Sequence, residues 1–121
     1  MGFPNWSPDG KMSAFEMKRG GDTHLAVIPS EGGAIEQLTF EPGQSWPGEW
    51  SPDGEKIAFA GQRDGVWNIW WVLRKDKTLK RVTNYTKPNV YVRYPAWSPN
   101  GNQIVYEFAE TTGNIWVMEL K

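Results

Sequence analysis

The sequence predicts an all-β fold, a β-propeller made of four-stranded antiparallel blades. A five-residue motif begins at residues 6, 50 and 97, so the chain is a repeat protein with a near-constant period. Turn-forming residues divide each repeat into four short segments. No segment has a helical apolar period longer than two turns, so helices are not expected. Four strands in a repeat of about 45 residues are typical of propeller blades.

The repeated motif predicts the first turn of each blade. It reads Trp-Ser-Pro-Asp-Gly at residues 6–10 and 50–54, and Trp-Ser-Pro-Asn-Gly at residues 97–101. Proline sets φ at the second position of a type I turn, and glycine suits the fourth. A first strand is therefore expected to end just before each turn, and a second strand to start just after it.

The remaining strands follow in order after each motif. Second strands are expected at 12–15, 56–59 and 103–106, and third strands at 24–27, 68–71 and 114–117. Turn signals at 63–65 and 112–114 separate them, and signals at 30–33 and 75–77 precede fourth strands at 35–39 and 79–83. The apolar run 69–73 predicts a strand buried on both faces, as stacked blades require, whereas a sandwich would leave one face wet. We expect blades at 3–40, 47–84 and 94–121, the last without its fourth strand.

Composition excludes several classes of function. The 121 residues carry 13 Lys+Arg against 14 Asp+Glu, so no basic surface for nucleic acid is expected. The longest apolar run is far too short for membrane insertion, and no signal peptide is expected within this sequence. The chain has no Cys, which excludes disulfides and thiolate ligands.

Catalytic and metal-binding patterns are scarce, so we predict a non-enzymatic protein without catalytic residues, metal or cofactor. His24 is the only His, and its repeat equivalents are Asn68 and Asn114, which favours a structural bond at a turn. No G-x-S-x-G or G-x-G-x-x-G motif occurs. Asp9, Asp53 and Asn100 fall one per repeat, and a turn role explains them better than calcium.

Eight tryptophans are unusual for this length, and the repeat accounts for most of them. Trp6, Trp50 and Trp97 share one repeat position and are expected in the blade core. Trp70 and Trp116 share another position, with Trp71 beside them. Trp46 and Trp67 have no counterpart and lie beside predicted loops, so these two are candidates for ligand binding.

One rim of a propeller carries the loops between second and third strands and between blades. These loops are expected at 19–22, 62–67, 110–113, 41–46 and 87–93, and they are rich in Pro, Gly and aromatic residues. Mixed charges there suit a polar peptide or a protein. The candidate binding residues are Trp46, Glu49, Arg63, Asp64, Trp67, Tyr91, Arg93 and Tyr94. The basic residues between 74 and 81 are expected to be a solvated, protected sheet edge.

The motifs at 50–59, continuing to 63–70, and at 95–101 resemble the TolB-type propeller repeat family, and the resemblance covers essentially the whole chain. The resemblance implies protein or peptide binding through one rim and the central channel, and a periplasmic or secreted location. The alternative is the accessory, non-catalytic propeller of a prolyl-oligopeptidase-like serine hydrolase.

The resemblance also implies a ring of about six blades, and this sequence supplies fewer than three. Either the chain is part of a longer protein, or two copies associate and complete the ring. Stacked blades expose apolar faces at both ends, so we expect a homo-oligomer of this chain.

Overall fold

The computed structural model describes residues 5–110 and the backbone of residues 115–120, and in these residues it contains strands and no helix. Eleven strands form three antiparallel sheets, ordered β1-β2-β3-β4, β5-β6-β7-β8 and β9-β10-β11. Their bounds are β1 Asn5–Trp6, β2 Met12–Arg19, β3 Asp22–Pro29, β4 Glu36–Gln37, β5 Gln44–Trp50, β6 Lys56–Arg63, β7 Val66–Leu73, β8 Leu79–Arg81, β9 Val90–Trp97, β10 Ile104–Glu110 and β11 Ile115–Leu120. The predicted all-β, antiparallel fold is confirmed.

The boundaries between repeats differ from the expected ones at two strands. β5 and β9 begin at Gln44 and Val90, several residues before the expected blade starts at 47 and 94. The last residues of the connections between sheets therefore belong to β5 and β9, because they pair with the ends of β6 and β10. The predicted turn at 112–114 lies outside the described residues.

Each repeated motif closes the same hydrogen-bonded turn. In the second sheet, the Ser51 hydroxyl donates to the Asp53 carboxylate and accepts from the Lys56 amide at 3.0 Å. The Gly54 amide donates to the Ser51 carbonyl at 2.8 Å, and Gly54 has φ of +75°, which glycine adopts without strain. The turns at residues 7–12 and 98–103 repeat these bonds.

Two apolar clusters lie between neighbouring sheets and constitute the core. The first joins the first and second sheets through Ala14, Leu25, Val27, Leu38, Trp50, Ile57, Phe59 and Val72. The second joins the second and third sheets through Ala58, Ala60, Trp67, Ile69, Val90, Val92, Ile104 and Tyr106. The second sheet is therefore covered on both faces, as the apolar run 69–73 predicted.

The repeated tryptophans bind one sheet to the next. The Trp50 indole donates to the Asn5 carbonyl at 2.9 Å, and the Trp97 indole donates to the Glu49 carbonyl at 3.0 Å. The prediction that all three lie in the core is wrong for Trp6, which is 57% exposed. No described sheet covers the side of the first sheet on which the equivalent contact would form.

The basic segment after β7 contacts the first sheet. Arg74 and Lys77 lie 3.5 and 4.0 Å from the Glu36 carboxylate of β4, and the three side chains are 38–41% exposed. Such exposed pairs contribute little to stability, about 0–1 kcal/mol.

Candidate functional site

A cavity of about 750 Å³ opens where the first strands of the three sheets meet. β5 contacts both β1 and β9, so the first strands form the inner side of the assembly. The cavity is lined by residues of five strands: Asn5, Glu16, Lys18, Thr23, Gln44, Trp46, Pro47, Gly48, Glu49, Tyr94, Pro95 and Ala96. Of the eight residues expected to bind a ligand, Trp46, Glu49 and Tyr94 are in this set.

Two β-bulges shape the cavity floor. In β5, Gly48 and Glu49 together oppose one residue of β6, and in β9 the pair Tyr94 and Pro95 likewise opposes one residue of β10. A Cβ on Gly48 would lie 2.5 Å from Pro95 Cγ and 2.7 Å from the Ala58 carbonyl oxygen. Only glycine therefore allows β5 and β9 to approach this closely.

Trp46 and Trp67 form a pair in which one ring supports the other. Their ring centroids are 4.4 Å apart with an interplanar angle of 49°. Trp67 is buried, and Trp46 is 42% exposed and lines the cavity. Both were expected beside loops, and the structure places them near strand ends inside the second sheet, where Trp46 pairs with Ala60 and Trp67 with Gln62. Strand pairing fixes Trp46 at the cavity wall.

Tyr94 presents its ring at the bulge of β9. It is 69% exposed and has φ of +55°, an uncommon conformation for a residue other than glycine. The Arg93 guanidinium lies 5.0 Å from the Tyr94 ring centroid, and its Nε donates to Glu107 at 2.7 Å. That bond raises the pKa of Arg93 above its ordinary value. Arg93 supports Tyr94 without lining the cavity itself.

The other expected binding residues lie outside the cavity lining. Arg63 donates to Glu41 at 2.9 Å, to the Gln44 carbonyl at 2.9 Å and to the Ser45 hydroxyl at 3.0 Å. Its guanidinium therefore anchors the start of β5, and it is largely buried. Asp64 occupies the β6–β7 turn with φ of +53°, and Tyr91 is exposed on β9.

Repeat counting alone missed nine lining residues: Asn5, Glu16, Lys18, Thr23, Gln44, Pro47, Gly48, Pro95 and Ala96. Most belong to the first strands, just before the repeated motif. The Pro-Gly pair at 47–48 and the Pro at 95 were a usable signal, because proline and glycine within a strand indicate a bulge. Glu16, Lys18 and Glu49 are the charged groups of the lining, and the rest is polar or apolar.

His24 and the repeated acidic positions have local structural partners. His24 Nδ1 lies 3.3 Å from Thr39 Oγ1, and burial lowers the pKa of His24. Bonds from the Ser51 hydroxyl and the Glu55 amide lower the pKa of Asp53. Among the described residues, no group of three or more His, Asp or Glu is placed to hold a metal, and no helix could span a membrane.

Repeated antiparallel sheets whose first strands meet at an inner cavity define a β-propeller repeat protein. The family model for the TolB beta propeller domain matches residues 1–121, and the chain belongs to this family. A comparison with curated proteins gives no match.

Solved structures show the same fold. A protein from Agrobacterium tumefaciens assigned as TolB superposes with a TM-score of 0.83 at 27% identity, covering 96% of this chain and 40% of that one. TolB from Acinetobacter baumannii gives 0.79 at 21% identity, with coverage of 96% and 28%. Oligogalacturonate lyase from Vibrio parahaemolyticus gives 0.64 at 16% identity, with coverage of 88% and 28%. The chain thus spans well under half the length of these proteins.

Proposed function

We propose that this chain is a non-enzymatic binding module that takes a peptide, or an extended segment of a protein, in the cavity between its first strands. The observation that carries the proposal is the pair of exposed rings, Trp46 and Tyr94, contributed by neighbouring sheets to one cavity. Exposed aromatic rings held by a rigid scaffold are typical contact residues of protein-binding surfaces.

The lining favours a peptide over a small polar metabolite. Pro47, Gly48 and Pro95 form an apolar floor that offers shape and van der Waals contact rather than many hydrogen-bond donors. Glu49 is exposed at one side, and Lys18 lies on β2. An extended peptide with an apolar side chain near the two rings and a cationic group near Glu49 fits this arrangement.

The position of the one histidine supports a non-enzymatic role. The single His of the chain, His24, is bonded to Thr39 and is absent from the lining. Membership of the TolB family supports the binding role and a periplasmic or secreted location. The ring is completed either by a second copy or by further sheets of a longer chain, and the accessory propeller of a serine hydrolase is the alternative setting of the longer chain.

The test is a binding measurement with variants of the two rings. A displayed library of random linear peptides is selected on the wild-type chain, and one selected peptide is titrated by calorimetry. Trp46→Ala and Tyr94→Ala are each expected to weaken binding by about tenfold, since loss of an aromatic anchor costs 1–2 kcal/mol or more.

Tyr91→Ala is the matched control, because Tyr91 is an exposed ring of the same strand as Tyr94 that lies outside the cavity lining. It should leave the affinity unchanged. Unchanged affinity in both cavity variants, or an equal loss in the control, would contradict the proposal.

A further inference from the structure

We propose that the first sheet of this chain is a docking surface for the third sheet of a second copy, so that copies associate head to tail. The inference rests on the proposal that the sheets are units of a ring. It adds the residues that make the contact and the direction in which the copies join.

The chain contains two internal examples of the contact. Each repeated tryptophan donates its indole N–H to the carbonyl of the residue that precedes the tryptophan of the previous sheet. Trp50 donates to Asn5 at 2.9 Å, and Trp97 donates to Glu49 at 3.0 Å. Because the same hydrogen bond occurs at both sheet boundaries, it is a repeated feature of the contact between neighbouring sheets.

A second contact repeats with the same direction. The position of a Cβ on Gly54 lies 3.6 Å from Pro8 Cδ, and that on Gly101 lies 3.6 Å from Pro52 Cδ. The glycine of each motif thus packs against the motif proline of the previous sheet. Both contacts connect the first-turn side of neighbouring sheets.

In both contacts the later sheet supplies the tryptophan and the glycine, and the earlier sheet supplies the carbonyl and the proline. The first sheet has the tryptophan and the glycine, and no described sheet provides their partners. Trp6 is 57% exposed, and no described residue lies within 4 Å of the Cβ position on Gly10. Phe15 is half-buried, whereas its equivalents Phe59 and Tyr106 are 0% and 2% exposed. Trp6, Phe15 and Gly10 are therefore all placed to contact a sheet of the same type.

The third sheet has the carbonyl and the proline that an earlier sheet supplies in these contacts. Ala96 precedes Trp97, so its carbonyl occupies the place that Asn5 and Glu49 hold in the internal contacts. Pro99 is exposed and corresponds to Pro8 and Pro52. In the assembly, Trp6 of one copy donates to the Ala96 carbonyl of the other, and Gly10 packs against its Pro99. Because the contact joins different surfaces, two copies make it twice when they close a ring.

The test begins with sedimentation velocity of the whole 121-residue chain over a range of concentrations. The wild type is expected to form a dimer, and Trp6→Glu to remain monomeric. Trp6→Phe keeps the ring and loses the N–H donor, so its dissociation constant should rise roughly fivefold. Tyr91→Phe, the loss of a polar hydrogen from another exposed ring, is the control and should dimerise as the wild type does. A wild type that stays monomeric, or a Trp6→Glu variant that still dimerises, overturns the proposal.

Cross-linking then tests the direction of the contact, and the absence of Cys makes the background clean. Lys11→Cys and Asn102→Cys occupy equivalent exposed positions in the first and third sheets. A mixture of the two variants should give heterodimers with a short bismaleimide, and neither variant alone should cross-link. Homodimers from either single variant would show a two-fold contact between identical surfaces and contradict the proposal.

The Lys11→Cys/Glu55→Cys double variant supplies the internal comparison, since its two sites bridge a sheet boundary that the chain already contains. Peptide titration of the monomeric Trp6→Glu variant separates the two proposals. Trp6→Glu is expected to bind the peptide as a monomer. In the wild-type chain, peptide binding without self-association would overturn only the docking surface, and self-association without peptide binding would overturn only the binding role.

Discussion

The indole Nε1 of Trp97 donates a hydrogen bond of 3.0 Å to the backbone carbonyl of Glu49, across the boundary between the third and second sheets. Trp97→Phe keeps most of the half-buried ring and removes this donor. We expect a loss of about 1 kcal/mol in the free energy of unfolding, measured by urea denaturation. Trp6→Phe, at a concentration where the chain is monomeric, should have almost no effect because Trp6 is exposed. Equal losses in both variants would contradict the role of the inter-sheet bond.

Gly48 controls how closely the second and third sheets approach. In Gly48→Ala the new methyl group would meet Pro95 and the Ala58 carbonyl well inside contact distance. We expect destabilisation of about 1–3 kcal/mol, by the overpacking argument. Gly21→Ala is the matched control, since no heavy atom lies within 4 Å of its Cβ position and its φ is not positive. Thermal denaturation of both variants decides the point, and a Gly48→Ala protein as stable as wild type would refute it.

Tyr94 combines an unfavourable backbone conformation with an exposed ring at the cavity. Tyr94→Gly should therefore raise the free energy of unfolding by about 0.5–1 kcal/mol while weakening peptide binding. Tyr91→Gly should lower it by a similar amount, because Tyr91 lies in β9 without a positive φ. Urea denaturation and peptide titration of both variants supply the measurements. Destabilisation by Tyr94→Gly would show that the ring contributes more packing than the backbone strain costs.

His24 is expected to make stability depend on pH near neutrality. Burial lowers the pKa of His24 from 6.5, so the unfolded chain binds a proton more readily than the folded one. The free energy of unfolding should rise with pH between the folded-state pKa and 6.5, and its His24 contribution should be complete above that value. His24→Asn places at this position the residue type of its repeat equivalent, Asn68, and should remove this dependence of stability on pH. Unfolding curves between about pH 5 and pH 8 test it, and identical slopes would contradict it.

The Asp53 carboxylate should stabilise its turn more strongly when it is ionised than when it is protonated. Its pKa is lowered from 3.8 by the Ser51 hydroxyl and the Glu55 amide, so this stabilisation is complete above 3.8 and is lost as the pH falls through the folded-state pKa. Asp53→Asn reproduces the Asn100 turn and should be nearly neutral at pH 7 and insensitive to acid at this site. Asp53→Ala should cost about 0.5–1 kcal/mol, since the Glu55 amide and Ser51 hydroxyl lose their acceptor. Acid titrations of the three proteins make the comparison, and a large loss in Asp53→Asn at pH 7 would refute it.

The repeat made the fold predictable, and single tryptophans were harder to place. The motif at residues 50–54 correctly predicted a turn, because its proline and glycine have few other backbone choices. Trp46 and Trp67 have no repeat equivalent and stand beside predicted loops, so the repeat could not place them. Their pairing inside the second sheet depends on where β5 begins, and Arg63 fixes that start through partners more than fifteen residues away.

The candidate site illustrates the same limit. The sequence marked Trp46, Glu49 and Tyr94, which line the cavity, together with Arg63 and Arg93, whose side chains are engaged in ion pairs beside it. Charge and aromatic character identify surface residues, but they do not distinguish a side chain that supports a site from one that faces it. That distinction depends on contacts between sheets.

By itself the sequence determined that this protein is an antiparallel β repeat with a fixed first turn in each unit, since local backbone preferences and a two-residue side-chain period act over short distances. The tertiary structure decided which face of each strand meets a neighbour, where the bulges fall and which rings share a cavity. It also decided that Trp6 is exposed while Trp50 is buried, although the two occupy the same motif. The reason is physical: an indole is buried only when another sheet supplies its contacts and a carbonyl for its N–H.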